Sequence, residues 1–220
     1  MSFRFQNRAE AGRLLADKLQ EFAGNPDAIV LGLPRGGVPV AAEVAQRLNL
    51  SLDIFLVRKL GAPGQEELAF GAIASGGVCV LNPSVVADLG LGQTEMGNII
   101  AREEEELERR EAAFGERAAI DLRGRVVILI DDGLATGASM RAAVMALRQR
   151  EPKRIVVAVP VAAAQTVEEF AREFGEIVFV EAPRDFSGVG QWYVDFTQTT
   201  DEEVRALLAE AKRRSENGGR

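Results

Sequence analysis

Five short, nearly continuous apolar runs set the strongest limit on what this 220-residue chain can fold into. They lie at 28–31, 52–57, 126–130, 155–159 and 177–180, and Val and Ile dominate them. A strand that is polar on one face alternates in sequence, whereas a strand buried on both faces reads as an unbroken apolar run. Helical patterns separate most of these runs, at 38–48, 138–150 and 166–174. Strands alternating with helices predict an α/β fold: an open, mainly parallel sheet with helices on both faces. A chain of this length buries roughly 70% of its unfolded surface, so the fold needs no disulfide or metal staple.

Two segments interrupt the rhythm. Residues 59–80 are glycine-rich, and the apolar stretches 70–74 and 78–81 flank Ser75-Gly76-Gly77, which predicts a β-hairpin carrying a flexible loop. Residues 94–117 predict an inserted charged helix, capped by Thr94, with Ile99, Ile100, Leu107 and Phe114 on a thin apolar side. Its charged run from Arg102 to Glu111 reads as a solvated face with i,i+4 pairs, or as a partner surface. Asn7 with Glu10 starts a first helix, and Thr200 with Glu203 starts a last one. One domain over 1–220 is expected, with a core at about 24–182 and a small hood at about 183–199 that includes the N-terminal segment.

Composition narrows the chemistry. The chain has no histidine, which excludes His-based acid–base catalysis, Ser-His and Cys-His nucleophiles and most zinc sites. Cys79 is the only cysteine, so no intramolecular disulfide forms, and Val78-Cys79-Val80 reads as buried packing. A net charge of −7 opposes a duplex-binding surface but allows a local basic pocket for a small anion. Met1 to Phe5 carries no apolar signal region, and the longest apolar stretch, 155–164, is broken by Pro160 and too short for a bilayer. A soluble intracellular protein without nucleic-acid or membrane partners is expected.

The run Val126 to Ser139 carries the chemistry. A buried strand ends in Asp131-Asp132, and a small-residue loop, Gly133-Leu134-Ala135-Thr136-Gly137, leads into a helix. Ligands of open α/β sheets bind at the carboxyl ends of strands, where this loop falls. Backbone N–H groups of Ala135, Thr136, Gly137, Ala138 and Ser139, with two hydroxyls and a helix N-terminus, suit a phosphate. Two adjacent carboxylates suit sugar hydroxyls or a divalent cation instead. Phosphate donors beside paired acceptors describe a sugar-phosphate site.

A hydrophobic strand, Asp-Asp, three small or apolar residues and Thr-Gly resembles the ribose-phosphate signature of the type I phosphoribosyltransferases. It is neither a P-loop nor a Rossmann fingerprint, since the Gly-Lys-Ser/Thr and Gly-x-Gly-x-x-Gly patterns are missing. Three further stretches are similar to the same family. Gly32-Leu33-Pro34-Arg35-Gly36-Gly37 looks like its pyrophosphate loop, which implies a non-proline cis peptide, placed here at Arg35-Gly36. Val57-Arg58-Lys59-Leu60-Gly61 ends the second strand and enters a mobile 61–71 loop, resembling the basic residues and lid that close over pyrophosphate; Glu66 and Glu67 lie in that loop. Glu181 to Phe196 is similar to the purine-type hood, where Phe186 or Trp192 would stack on a base and Asp195 would meet a second metal; core packing is the rival reading for both aromatics.

The resemblance implies Mg²⁺-dependent binding of 5-phosphoribosyl 1-pyrophosphate (PRPP) and transfer of its phosphoribosyl group to a nitrogenous acceptor. It gives Asp131 and Asp132 the ribose hydroxyls and the metal, residues 135–139 the 5-phosphate, and Arg35, Gly36, Gly37, Arg58 and Lys59 the pyrophosphate. It also implies a cytoplasmic homodimer of nucleotide salvage. Two other readings stay open. One is a PRPP-sensing regulator without transferase activity, although no helix-turn-helix or basic patch accompanies the domain. The other is a structural or partner-binding role centred on the 94–117 helix.

Overall fold

The computed structural model describes residues 3–115 and 120–218, leaving aside the side chains of residues 65–67, 217 and 218. The chain divides into two compact units, Met1–Ile54 with Leu122–Gly137 and Pro152–Arg220, and Phe55–Asp121 with Ala138–Glu151.

The first unit is built on a five-stranded sheet of β1 (Ala28–Gly32), β2 (Ser51–Ile54), β6 (Val126–Ile130), β7 (Arg154–Val161) and β8 (Ile177–Glu181). Spatial order is β2-β1-β6-β7-β8, and every pairing is parallel. Both central strands, β1 and β6, are buried along their whole length, as their unbroken apolar sequences require. The α-helices α1 (Arg8–Lys18), α2 (Gly37–Leu48), α6 (Ala164–Phe174) and α7 (Asp201–Gly218) belong to this unit. Leu15 and Leu19 of the first helix region and Val40, Val44 and Leu48 of α2 pack on Val30, Ile128, Ile130 and Val156. Gly12 permits the close seat of α1, because a Cβ there would stand 2.6 Å from the Val40 carbonyl. The strand order reverses between β1 and β6, and Gly32 pairs with Ile130 in register, so the loops leaving both strands emerge side by side.

The second unit holds an antiparallel sheet, β3 (Val57–Ala62), β4 (Gln65–Ala74) and β5 (Val78–Leu81), in that order. With it go α3 (Pro83–Leu89), α4 (Gln93–Ala113) and α5 (Ala138–Arg148). Gly76 and Gly77 turn β4 into β5 at φ of 78° and 75°, in the left-handed region that favours glycine. Asn82 caps α3 through the Val85 N–H with Pro83 in the first turn, an element that the periodicity of the sequence does not announce. Among the described residues no helix is long and apolar enough to cross a membrane.

Several expectations change. The 52–57 run is two strands, since β2 joins the parallel sheet and β3 the antiparallel one. Both parts are extended and apolar, and a sequence pattern does not report which sheet a strand joins. The 61–71 stretch is the β3–β4 hairpin, turning at Pro63-Gly64, rather than a free loop. Cys79 is exposed: β5 is an edge strand covered on one face, so Val78 and Val80 are half-buried while Cys79 and Leu81 face out. The charged helix begins at Gln93 behind Gly92, not at a Thr94 cap, and the end of the expected 94–117 span, from 116, lies outside the described residues. The cis peptide is Pro34-Arg35, one bond earlier than expected.

Candidate functional site

The acid pair sits where the first sheet reverses. Asp131 and Asp132 follow β6 directly, and the Gly36-Gly37 turn at the start of α2 lies against them. A Cβ on residue 36 would fall 2.0 Å from Asp132 Oδ2, and one on residue 37 would fall 2.7 Å from the Ile130 carbonyl. At residue 37 the clash is with fixed backbone, and at residue 36 it would displace the Asp132 carboxylate, so glycine at both positions preserves the arrangement. The Leu33 N–H donates to Ile130 O at 2.8 Å and the Gly37 N–H to Leu33 O at 3.0 Å, fixing the turn.

Arg8, at the start of α1, completes the arrangement. Its Nε donates to Asp132 Oδ2 at 2.8 Å, its Nη1 donates to the Thr197 carbonyl at 2.8 Å, and its guanidinium lies 4.0 Å over the Phe196 ring. The Tyr193 hydroxyl donates to the backbone carbonyl of Asp132 at 2.6 Å. Residues 192–195 run beside the N-terminal segment through Phe5 N–H to Trp192 O, Val194 N–H to Phe5 O and Asp195 N–H to Gln6 O. One short strand pairing therefore brings both Arg8 and Tyr193 to Asp132.

Electrostatics follow from this packing. Burial and the neighbouring Asp132 charge push the Asp131 carboxyl well above the usual carboxylate range. Burial also raises Asp132, while Arg8 opposes the rise. Tyr193 is pushed up by burial and by the Asp132 charge, so it stays a hydroxyl donor.

The loop after the acid pair is pinned at its start. Leu134 bridges to β7 and its outflow through Leu134 N–H to Val161 O (2.8 Å) and Ala163 N–H to Leu134 O (3.1 Å). The Ala135 carbonyl accepts from the Thr166 hydroxyl at 2.6 Å. Gly133 lies against Val189, where a Cβ would meet Cγ1 at 2.5 Å. Gly137 then turns at φ 74° into α5, and Ala135 and Thr136 remain exposed. An anchored base followed by exposed residues at the start of a helix can receive a phosphate.

The remaining expected residues fall elsewhere. The Arg35 side chain pairs with Asp201 at 3.6 Å, both about 40% exposed. Asp195 is exposed and accepts from the Thr197 N–H and hydroxyl at 2.9 and 2.6 Å, which hold it below the usual carboxylate range. Among the described residues no three or more His, Cys, Asp or Glu gather as a metal cage, so Asp195 does not join Asp131 and Asp132 in one. Phe186 and Trp192 are half-buried against the cluster of Phe5, Ala11, Val161 and Tyr193, a packing role for part of each ring. Arg58, Lys59 and Ser139 line a cavity of the second unit. Glu66 and Glu67 lie on β4, and their side chains are outside the described residues. Reasoning from the sequence misses Arg8 and Tyr193, because their roles depend on a pairing between the two ends of the chain; that Tyr193 is the chain's single tyrosine is the one available signal.

The family model for the phosphoribosyl transferase domain matches residues 5–186. Over 210 residues the chain is 46% identical to a Mycobacterium tuberculosis protein provisionally named a phosphoribosyl transferase, covering 95% of this chain and 47% of that protein. The chain thus spans about half the length of that relative. The crystal structure of TT1426 from Thermus thermophilus is 46% identical with a TM-score of 0.86, covering 94% of this chain and 99% of that one. A Neisseria gonorrhoeae protein solved with bound ppGpp, 12% identical at a TM-score of 0.50 over 99% of each chain, shares the fold alone. The family match begins at Phe5, whose strand pairing carries Arg8 and Tyr193 to the acid pair, and runs through both glycine-bearing loops. The chain belongs to the phosphoribosyltransferase family.

Proposed function

We propose that this chain transfers the 5-phosphoribosyl group of PRPP to a nitrogenous acceptor, releasing pyrophosphate. The observation that carries the reading is the Asp131-Asp132 pair at the sheet's reversal point, set against Gly36-Gly37 and followed by an anchored loop that leads into α5. In this reading the ribose hydroxyls donate to the acid pair, and the rim from Ala135 to Ser139 holds the 5-phosphate. Lys59 and Arg58 keep the pyrophosphate role that the family pattern gives them.

The bond from C1 of the ribose to the pyrophosphate oxygen breaks as the acceptor nitrogen bonds to C1, and the acceptor's proton leaves. Positive charge develops on the sugar, so positioning and fixed negative charge serve better than a nucleophile. A chain without histidine is suited to that chemistry. Mg²⁺ keeps several non-protein ligands and is held by one or two carboxylates together with substrate oxygens. Asp131, half-buried beside an Asp132 already engaged by Arg8, fits such partial coordination. When bound, the metal would neutralise charge on pyrophosphate as it leaves. Arg8 keeps Asp132 oriented and Tyr193 holds its backbone.

The test is Mg²⁺-dependent PRPP binding and pyrophosphate release with a panel of bases, for wild type and the Asp131→Asn/Asp132→Asn variant. Binding is expected to weaken at least about tenfold, about 1.4 kcal/mol, in a variant that still folds. Unchanged binding removes the acid pair from the site. Tight PRPP binding without turnover of any base favours a sensing role.

A further inference from the structure

Thr166, on the first turn of α6, is a polar side chain buried to 7% exposure. A buried hydroxyl is costly unless it is hydrogen-bonded, and the partner of this one lies outside its own helix. It donates to the Ala135 carbonyl at 2.6 Å, across 31 positions of sequence. The hydroxyl is thus given to the loop after the acid pair, while α6 itself starts behind Ala163 without a side-chain cap. The anchor is held in turn. The Ala162 N–H donates to the Glu181 carbonyl and the Ala164 N–H to the Pro183 carbonyl, both at 3.1 Å, so the entry to α6 has a fixed place beside the end of β8.

The path of the loop does not need this bond. Leu134 is already fixed by backbone hydrogen bonds on both sides, from its own N–H to Val161 O at 2.8 Å and from the Ala163 N–H to its carbonyl at 3.1 Å. What those bonds leave open is the rotation of the next peptide, between Ala135 and Thr136. Both residues are exposed, so burial does not set it. That peptide is planar and trans, and its carbonyl and N–H therefore point in opposite directions. With the carbonyl drawn to Thr166, the Thr136 N–H turns away from α6. Rotated the other way, the peptide would show a carbonyl oxygen there, and the negative end of its dipole would repel an anion. One hydroxyl decides which end of the peptide faces a ligand.

We propose that Thr166 is a positioning residue for the sugar 5-phosphate: by holding the Ala135 carbonyl it turns the donor end of the Ala135–Thr136 peptide toward the phosphate and keeps the carbonyl out of its path. The proposal rests on the reading of this loop as a 5-phosphate site, and it adds to that site a side chain from α6 that touches no ligand itself.

The probe is ribose 5-phosphate, titrated calorimetrically into the full chain, with a thermal melt of every variant. Thr166→Val keeps the branched shape and removes the donor, so the peptide is released; its affinity is expected to fall at least about tenfold. Thr166→Ser keeps the hydroxyl and is expected to bind like wild type. Thr166→Ala removes the same hydroxyl without added volume, and it replaces the valine variant if the melt shows that one unfolded. Phe170→Leu separates positioning from the stability of the helix. Phe170 is 1% exposed on α6, so its truncation is expected to lower the melting temperature yet leave affinity unchanged. Three results overturn the proposal while leaving the PRPP reading in place: wild-type affinity without the hydroxyl, a serine variant as weak as the valine one, or an equal loss in Phe170→Leu. Wild type that does not bind ribose 5-phosphate at all overturns the reading of the loop, and the proposal with it.

Discussion

Asp132 is constrained from three sides. Its carboxylate is held by Arg8, its carbonyl by Tyr193, and Gly36 leaves room for its Oδ2 by lacking a side chain. Tyr193→Phe removes the hydroxyl and keeps the buried ring, so it should cost about 1 kcal/mol, a few degrees in melting temperature. PRPP affinity should fall with it, because the Asp132 backbone loses its tether; a variant with wild-type melting and affinity shows the bond to be idle. Asp131 behaves differently, since burial and its neighbour raise its folded pKa above the unfolded value. Its contribution to stability is present in full below the unfolded pKa of about 3.9 and is lost as pH rises through the folded one. Metal-free Asp131→Asn should therefore melt higher than wild type at pH 8, with the gap closing toward pH 4, while PRPP binding fails. A variant less stable than wild type at pH 8 contradicts a raised pKa. At this scale the sequence displayed the acid pair and both glycines, because their spacing is local. Arg8 stayed hidden because its partner lies 124 positions away.

Elements were legible where their signals are local. The Asn7 and Thr200 caps form as their spacing predicts: the Glu10 N–H donates to Asn7 Oδ1 at 3.0 Å, the Glu203 N–H to Thr200 Oγ1 at 3.2 Å, and the Thr200 N–H to Glu203 Oε2 at 2.7 Å. The parallel strands were equally plain, since burial on both faces forces continuous apolar sequence. Pairing choices were not. Residues 52–57 form one apolar stretch, yet the chain passes from one sheet to the other between Ile54 and Val57. Gly71 shows why such sheets hide from sequence. A Cβ there would stand 2.4 Å from the Val80 carbonyl, so glycine is demanded by a neighbouring strand rather than by a turn. Gly71→Ala should prise β4 from β5 and lower stability by about 1–3 kcal/mol. Gly188→Ala, where a Cβ would meet nothing within 4 Å and the backbone is extended, is the control and should melt like wild type. Equal melting of the two variants would mean that β4 and β5 relax around the added methyl.

Across the whole molecule, the family match spans residues 5–186. Family membership leaves the acceptor open, and one departure from pattern bears on it. In the 6-oxopurine branch of the type I phosphoribosyltransferases, the family that the acid-pair motif resembles, an aspartate stands just before Thr-Gly, placed to exchange a proton with the purine ring. Here that position is Ala135, whose methyl has no proton to exchange and whose carbonyl is taken by Thr166. Any acid–base help must come from elsewhere, and Glu66 and Glu67 on the β3–β4 hairpin are the carboxylates that the family's lid pattern offers. Hypoxanthine and guanine should accordingly be poor acceptors, and turnover of any better base should fall at least about tenfold in Glu66→Gln or Glu67→Gln. The loss should appear in kcat rather than KM, since a carboxamide of the same size preserves binding contacts and removes proton transfer. Steady-state kinetics with adenine, hypoxanthine, guanine, uracil and orotate checks this. Efficient use of hypoxanthine or guanine, unmoved by either variant, would show that the missing carboxylate sets no limit on the substrate. Failure of all five bases alongside intact PRPP binding would direct the search to an acceptor that is not a nucleobase.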